Sequence, residues 1–266
     1  QTGVNIGGIV GAATLPTLAL ALSWHYGFLA IGFISIVVGI VSFILYREPP
    51  HSVELNTSPT VNSASSGASV WEVFRGREIW LVSLAGASMV FVEFSVLAHF
   101  VLYLGEVMLI GVVAAGLFLA TSEAAGAFGK PVSGFISDYF FRGDRKKVYI
   151  LMCGLTFAMC LLLSFLERGS PFWIIGPICF VLGLAAIGWG GLHLTLVGEI
   201  AGKELAGIVT GVSTVILVSG HVIGPPTFGY IVDVTGSYEV AWRLLAILAA
   251  VAMVLLFFVR EERKRI

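Results

Sequence analysis

The sequence predicts an all-α, polytopic membrane bundle of eight transmembrane helices, and three observations carry that expectation. First, 58% of the 266 residues are hydrophobic and only 12% are charged, with a mean hydropathy of +0.97. Soluble domains carry about 25% charged residues, so this chain lacks the polar surface to solvate a globule, and lipid is the alternative solvent. Second, eight apolar runs reach the roughly 20 residues that a helix needs to cross a hydrocarbon core. Third, the basic residues gather on one side of those runs.

The runs are Val4–Ser23, Gly27–Tyr46, Ile79–Leu104, Val112–Ile136, Val148–Leu166, Phe172–Val197, Gly207–Val232 and Val240–Val259. They are continuous rather than alternating, which argues against strands of a barrel. One set of connections holds Arg47, Arg75, Arg77, Arg142, Arg145, Lys146, Lys147, Lys203, Arg260, Arg263, Lys264 and Arg265, and the opposite set holds only Arg168 and Arg243. Cationic flanks stay in the cytoplasm. The expected topology is therefore a multi-pass protein of the inner (plasma) membrane, with residue 1, the connection 47–78 and the C-terminus all cytoplasmic. No signal peptide is expected ahead of the first span. The chain opens on Gln1 within a few residues of a span, which suggests a fragment or a truncated reading frame.

Residues 49–69 (PPHSVELNTSPTVNSASSGAS) interrupt the pattern and read as a flexible linker. Ser69 and Glu72 then form a capping-box pair ahead of Val70, Trp71 and Phe74, predicting a short interfacial helix. The hairpins on either side of the chain repeat one another at an offset of 213 residues: Gly7 with Gly220, Gly11 with Gly224, Thr14 with Thr227, Arg47-Glu48 with Arg260-Glu261. Each begins with glycines at small-xxx-small spacing, Gly3/Gly7/Gly11 and Gly220/Gly224, which let helix backbones approach closely. If the first two helices match the last two, four helices matching those between should precede residue 1. The expected division is 1–46, the last two helices of an N-terminal half; 47–78, a cytoplasmic linker; and 79–266, a C-terminal six-helix bundle. Two such halves are a transporter architecture.

The stretch Gly134-Phe-Ile-Ser-Asp138-Tyr-Phe-Phe-Arg142-Gly143-Asp144-Arg145-Lys146-Lys147 resembles the cytoplasmic-loop signature of the major facilitator superfamily. Gly220-His-Val-Ile-Gly224-Pro225-Pro226 resembles the family's glycine-proline motif. The resemblance runs from end to end, as helices five to twelve of twelve. It implies alternating access, with the loop around Gly134, Asp138, Arg142, Gly143, Arg145 and Lys146 latching helices in one conformation. On physical grounds Asp138, at a helix C-terminus, opposes the macrodipole and needs a cationic or helix-N-terminal partner nearby. A nearer similarity is to organophosphate:phosphate antiporters and related organic-anion permeases. Their substrate-binding arginine would fall where this chain has Glu93, and that reversal of charge argues against phosphate esters.

An ionisable residue inside a span costs about 3 kcal/mol on insertion scales, which makes it a functional candidate. Glu93 lies near the centre of its run. Taking a carboxylate out of water favours its protonated form, which suits a proton carrier; the plainer alternative is a structural hydrogen bond. Glu123 and Lys130 share a face of the next helix roughly 10 Å apart along the axis, too far for a direct bridge. Lys130 is expected to snorkel to the cytoplasmic end, and Glu123 to serve either packing or coupling. His99 lies on a different face from Glu93. His193 and His221 could relay protons or be satisfied core histidines. Trp189, in Gly188-Trp189-Gly190-Gly191, could wall a cavity or sit in a packing notch.

Motifs for metal, nucleotide and nucleophilic catalysis are absent from the sequence, and Cys153, Cys160 and Cys179 have neither metal nor disulfide spacing. The expectation is no enzyme, no cofactor and no nucleic-acid partner. It is instead a monomeric secondary transporter in a lipid bilayer, driven by an ion gradient, most simply protons, and moving a small, carboxylated or otherwise anionic solute. A multidrug exporter of the same fold and a non-transporting membrane sensor are the competing readings. The chain alone is expected to be inactive.

Overall fold

The structure is a computed structural model that describes residues 2–46, 76–167 and 170–259, so the predicted linker, its capping box and the C-terminal basic cluster lie outside the described residues. Among the described residues, eight helices are long and apolar enough to span a bilayer: α1 Gly3–Ala21, α2 Trp24–Leu45, α3 Arg77–Glu106, α4 Val112–Phe140, α5 Arg145–Ser164, α6 Trp173–Gly202, α7 Leu205–Thr235 and α8 Tyr238–Phe257. Each coincides with one of the eight apolar runs. Several helices run past their runs into polar sequence, as α3 does from Arg77 to Glu106. Helical hydrogen bonding does not stop where hydrocarbon stops, so hydropathy underestimates length.

Chain contacts group the molecule into two units, residues 1–14 with 70–266, and residues 15–69. In the second unit α2 buries only Gly27, and Phe28, Phe33, Ile36, Phe43 and Leu45 all face outward. In the first, α3 packs against α7 and α8, α5 against α8, and α4 against α6. The core of this unit forms two clusters along the bundle axis. One holds Val82, Met89, Tyr149, Met152, Trp189 and Leu196. The other holds Val96, Phe100, Tyr103, Phe228, Trp242 and Leu245. Trp242 meets Phe100, Tyr103 and Phe228 edge-on at 5.1–6.2 Å, an arrangement that suits ring quadrupoles.

The exterior has the inverted polarity that lipid requires. Phe128, Phe135, Val215, Val222 and Phe257 are exposed, whereas Ser83, Ser122, Ser213 and His193 are buried. Hydroxyls on outward faces bond back to their own helix, as Ser88 does to the Leu84 carbonyl at 3.0 Å, Thr121 to Leu117 at 2.9 Å and Thr227 to Ile223 at 2.7 Å. With no water in hydrocarbon, that is where such donors find an acceptor.

Glycines set the closest helix contacts. A Cβ at Gly220 would strike the Ala87 carbonyl oxygen, and one at Gly224 would lie 2.8 Å from that of Phe91. The predicted α7 motif therefore seats α7 on α3, and the helix continues through Pro225 and Pro226. On α1 the expectation needs correction: Gly3 and Gly7 meet nothing within 4 Å, and the close approach is made by Gly8. A further glycine seam was not anticipated. Gly126 and Gly129 of α4 face Ile187, Gly183 and Gly188 of α6, and a Cβ at Gly183 would run into the Ser122 backbone. In α6 the residues Ile187–Trp189 form a turn between helical segments. Gly202, at φ 74°, breaks the backbone between α6 and α7.

Candidate functional site

Polar groups inside the first unit converge on two places, and the basic loop makes a third. At the first, Glu93 of α3 is half-buried and Trp189 of α6 is 1% exposed. The Trp189 indole N–H donates to Glu93 Oε2 at 3.1 Å and also reaches the Ala186 carbonyl at 2.9 Å. Glu93 and Trp189, separate candidates in the sequence, are thus one unit. Trp189 is a fully packed side chain that orients a carboxylate rather than an open cavity wall. Behind it Tyr149 of α5 stacks at 5.5 Å with rings 10° apart, and His193 meets both rings edge-on. His193 Nε2 lies 3.1 Å from Ser213 Oγ of α7, to which Ser83 of α3 donates at 2.9 Å. Gly86 leaves room for the ring, since a Cβ there would fall 2.6 Å from His193 Cε1. Four helices therefore share one polar and aromatic seam. Tyr149, Ser83 and Ser213 were not singled out from sequence, because uncharged residues in an apolar run give no signal there.

At the second place, Glu123 of α4 is 6% exposed and accepts from Asn5 Nδ2 of α1 at 2.8 Å. Lys130 Nζ donates to Asn5 Oδ1. Asn5, 1% exposed, thus bridges the two α4 charges, which the helix holds too far apart for direct contact. Gly8 makes the approach possible, because a Cβ there would sit 2.6 Å from the Glu123 carboxyl carbon. The snorkelling role expected of Lys130 is corrected: its ammonium turns to an amide on α1. An ammonium finds better compensation in a fixed acceptor beside a carboxylate than in the distant end of a helix.

The remaining histidines do not join them. His99 Nδ1 lies 3.3 Å from the Ser95 carbonyl of its own helix, and its ring rests on Phe228 at 4.7 Å. His221 lies edge-on to Phe94 at 3.8 Å. Both pack between α3 and α7.

The loop between α4 and α5 turns through two left-handed residues, Arg142 at φ 54° and Gly143 at φ 81°. The Gly143 N–H closes the end of α4 on the Ser137 carbonyl at 2.8 Å. Asp144 caps α5 by accepting from the Lys147 N–H at 3.0 Å. The cationic partner that Asp138 requires is Arg145, at 2.9 Å. The same guanidinium reaches Glu199 of α6 and the Gly134 carbonyl, each at 3.5 Å. Lys146 donates to the Phe257 and Val259 carbonyls at 3.1 and 2.5 Å, where α8 ends. Cations complement the negative end of a helix. Adjacent basic residues thus tie α5 to α4 and α6 through Arg145, and to α8 through Lys146.

Comparison with known proteins agrees with this architecture. Residues 1–225 match the Major Facilitator Superfamily. The chain is 22% identical to a hexuronate transporter of Bacillus subtilis, over 96% of its own length and 63% of that protein's. It is 25% identical to a probable hexose phosphate transport protein of Chlamydia pneumoniae, over 94% and 60%. The chain therefore spans about three-fifths of the length of the curated relatives it matches. The crystal structure of the E. coli fucose:proton symporter superposes with a TM-score of 0.62 over 91% of this chain and 57% of that one, at 17% identity, a likeness of fold.

Proposed function

The chain belongs to the Major Facilitator Superfamily, and from that premise we propose that the protein is a secondary active transporter moving a small sugar acid by alternating access, with protons as the coupling ion. The observation that carries this reading is the Glu93 carboxylate, held inside a span by the Trp189 indole N–H. A carboxylate is retained there at a cost of kcal/mol, and a group that loads and releases a proton justifies the cost.

Both a hexuronate and a hexose phosphate are anionic sugars, and charge arithmetic favours the first. Glu93, Glu123 and Lys130 sum to −1 when all are ionised. A sugar carboxylate adds one negative charge, which one proton offsets; a phosphate ester adds up to two. Residues 1–46 supply the last two helices of an N-terminal half, 47–78 the linker, and 79–266 the C-terminal six-helix bundle. The end bearing Arg77, Arg142, Arg145, Lys146 and Lys147 faces the cytoplasm.

The test is uptake of D-glucuronate by proteoliposomes, with and without an inward proton gradient. The complete reading frame should accumulate the solute only with the gradient. Glu93→Gln should still exchange glucuronate across the bilayer but lose gradient-driven accumulation. If Glu93→Gln accumulates like the wild type, Glu93 is not the coupling group. Binding without any movement of solute would mark a sensor instead.

A further inference from the structure

We propose that Lys130 is the cation that receives the carboxylate of the sugar acid, and that Asn5 is the group the carboxylate displaces. The inference rests on the transport reading and deepens it by naming the residue that recognises charge. Among the described residues, the other basic side chains lie at helix ends. Arg77 begins α3 beneath the Phe258 ring, Arg142, Arg145, Lys146 and Lys147 crowd the α4–α5 loop, and Arg243 pairs with Glu239 in the first turns of α8. Lys130 lies deepest inside an apolar run, six residues or about 9 Å along the axis from its end at Ile136.

Its surroundings are those of a built site. Asn5 and Glu123 are buried at 1% and 6% exposure, while Lys130 itself is half-buried. The ammonium is held by a neutral amide oxygen, a weaker acceptor than a carboxylate, because charge-assisted pairs are roughly twice as strong as neutral ones. A sugar carboxylate outbids that amide for the same proton. Glu123 still holds the Asn5 amino group at 2.8 Å, so the displaced side chain keeps one anchor.

Displacement has a structural consequence. Asn5 is the polar link between α1 and α4, and Gly8 packs against the Glu123 head a turn further along. Removing Lys130 from Asn5 loosens that link when substrate arrives. Recognition of the solute charge and release of α1 from α4 are then one event.

The experiment compares equilibrium binding of D-glucuronate and of D-glucuronamide, its uncharged amide, to the purified complete protein. The wild type should prefer the acid. Lys130→Gln should weaken glucuronate binding by roughly tenfold or more and erase the preference for acid over amide. Lys130→Arg should restore both to within about threefold, since it keeps the cation. Asn5→Ala removes the competing acceptor and should tighten glucuronate binding by about two- to fivefold. A purely structural bridge would weaken it instead, and this variant decides the matter should Lys130→Gln fail to fold. A preserved preference in Lys130→Gln, or weaker binding in Asn5→Ala, overturns the assignment while glucuronate transport stands. A wild-type protein that binds neither probe ends the sugar-acid reading and this inference together.

Discussion

Replacing Gly220 by alanine probes the seam on which α3 and α7 meet. The new Cβ would overlap the Ala87 carbonyl oxygen and stand 2.9 Å from the Phe91 nitrogen. Both are backbone atoms of a helix, so no side chain can swing aside and α7 must move away from α3. Overpacking of this kind costs about 1–3 kcal/mol, and separation of the helices also loosens the Ser83–Ser213–His193 chain that crosses the same seam. Gly154 of α5 is the matched control, because a Cβ there would meet only the Met253 sulfur at an ordinary 3.8 Å. Gly154→Ala should lie within roughly 0.5 kcal/mol of the wild type. The chain carries its own reporter, since Cys153, Cys160 and Cys179 are all buried and free. A thiol-reactive dye followed on heating in detergent reads the exposure of these cysteines as the bundle opens. At roughly 2–4 °C per kcal/mol for a chain of this size, Gly220→Ala should melt several degrees below both the wild type and Gly154→Ala. Equal melting of the two variants would refute the close-contact argument.

Two further outcomes follow from the candidate site and the loop. Trp189→Phe keeps the ring stacked on Tyr149 but removes the N–H from Glu93. Glucuronate accumulation in proteoliposomes should fall by about tenfold, the worth of a hydrogen bond to a charged group, while the melting temperature shifts little; unchanged accumulation would show that the indole does not position Glu93. Arg145→Lys replaces a fork that meets Asp138, Glu199 and the Gly134 carbonyl with a single ammonium that cannot serve all three. The initial uptake rate should drop several-fold and a cysteine placed at Gly134 should label faster, and both readouts staying at the wild-type level would show that the fork holds nothing together.

Much of this was legible in the chain itself. The eight spans follow from the length of the apolar runs, because a bilayer imposes a minimum that no soluble helix needs to meet. The need of Asp138 for a partner is also legible, since a carboxylate in the last turn of a helix opposes the macrodipole, but that Arg145 at the start of the next helix is the partner was decided by the structure. Glu93, Glu123 and Lys130 stand out because charge in hydrocarbon is expensive. Asn5 did not stand out, although it too is a polar group in an apolar run. An amide carries no charge penalty large enough to mark it, and its flanking glycines drew attention to packing. The role of Lys130 was misread for a related reason: snorkelling is the default for a lone lysine, and only a neighbouring helix could supply a nearer partner.

Composition, run length and the sidedness of the cations determined by themselves that lipid is the solvent, that helices are the elements and where along the chain each one falls. Which side chains meet was decided only in three dimensions: Asn5 with Glu123, 118 residues apart, and Trp189 with Glu93, 96 apart. The reason is that a helix apolar on nearly every face has no stripe to say which side turns inward. In water the hydrophobic effect would choose that face. In lipid it does not, and the rotation and height of each helix are settled by glycine contacts and by the few polar groups that must find one another.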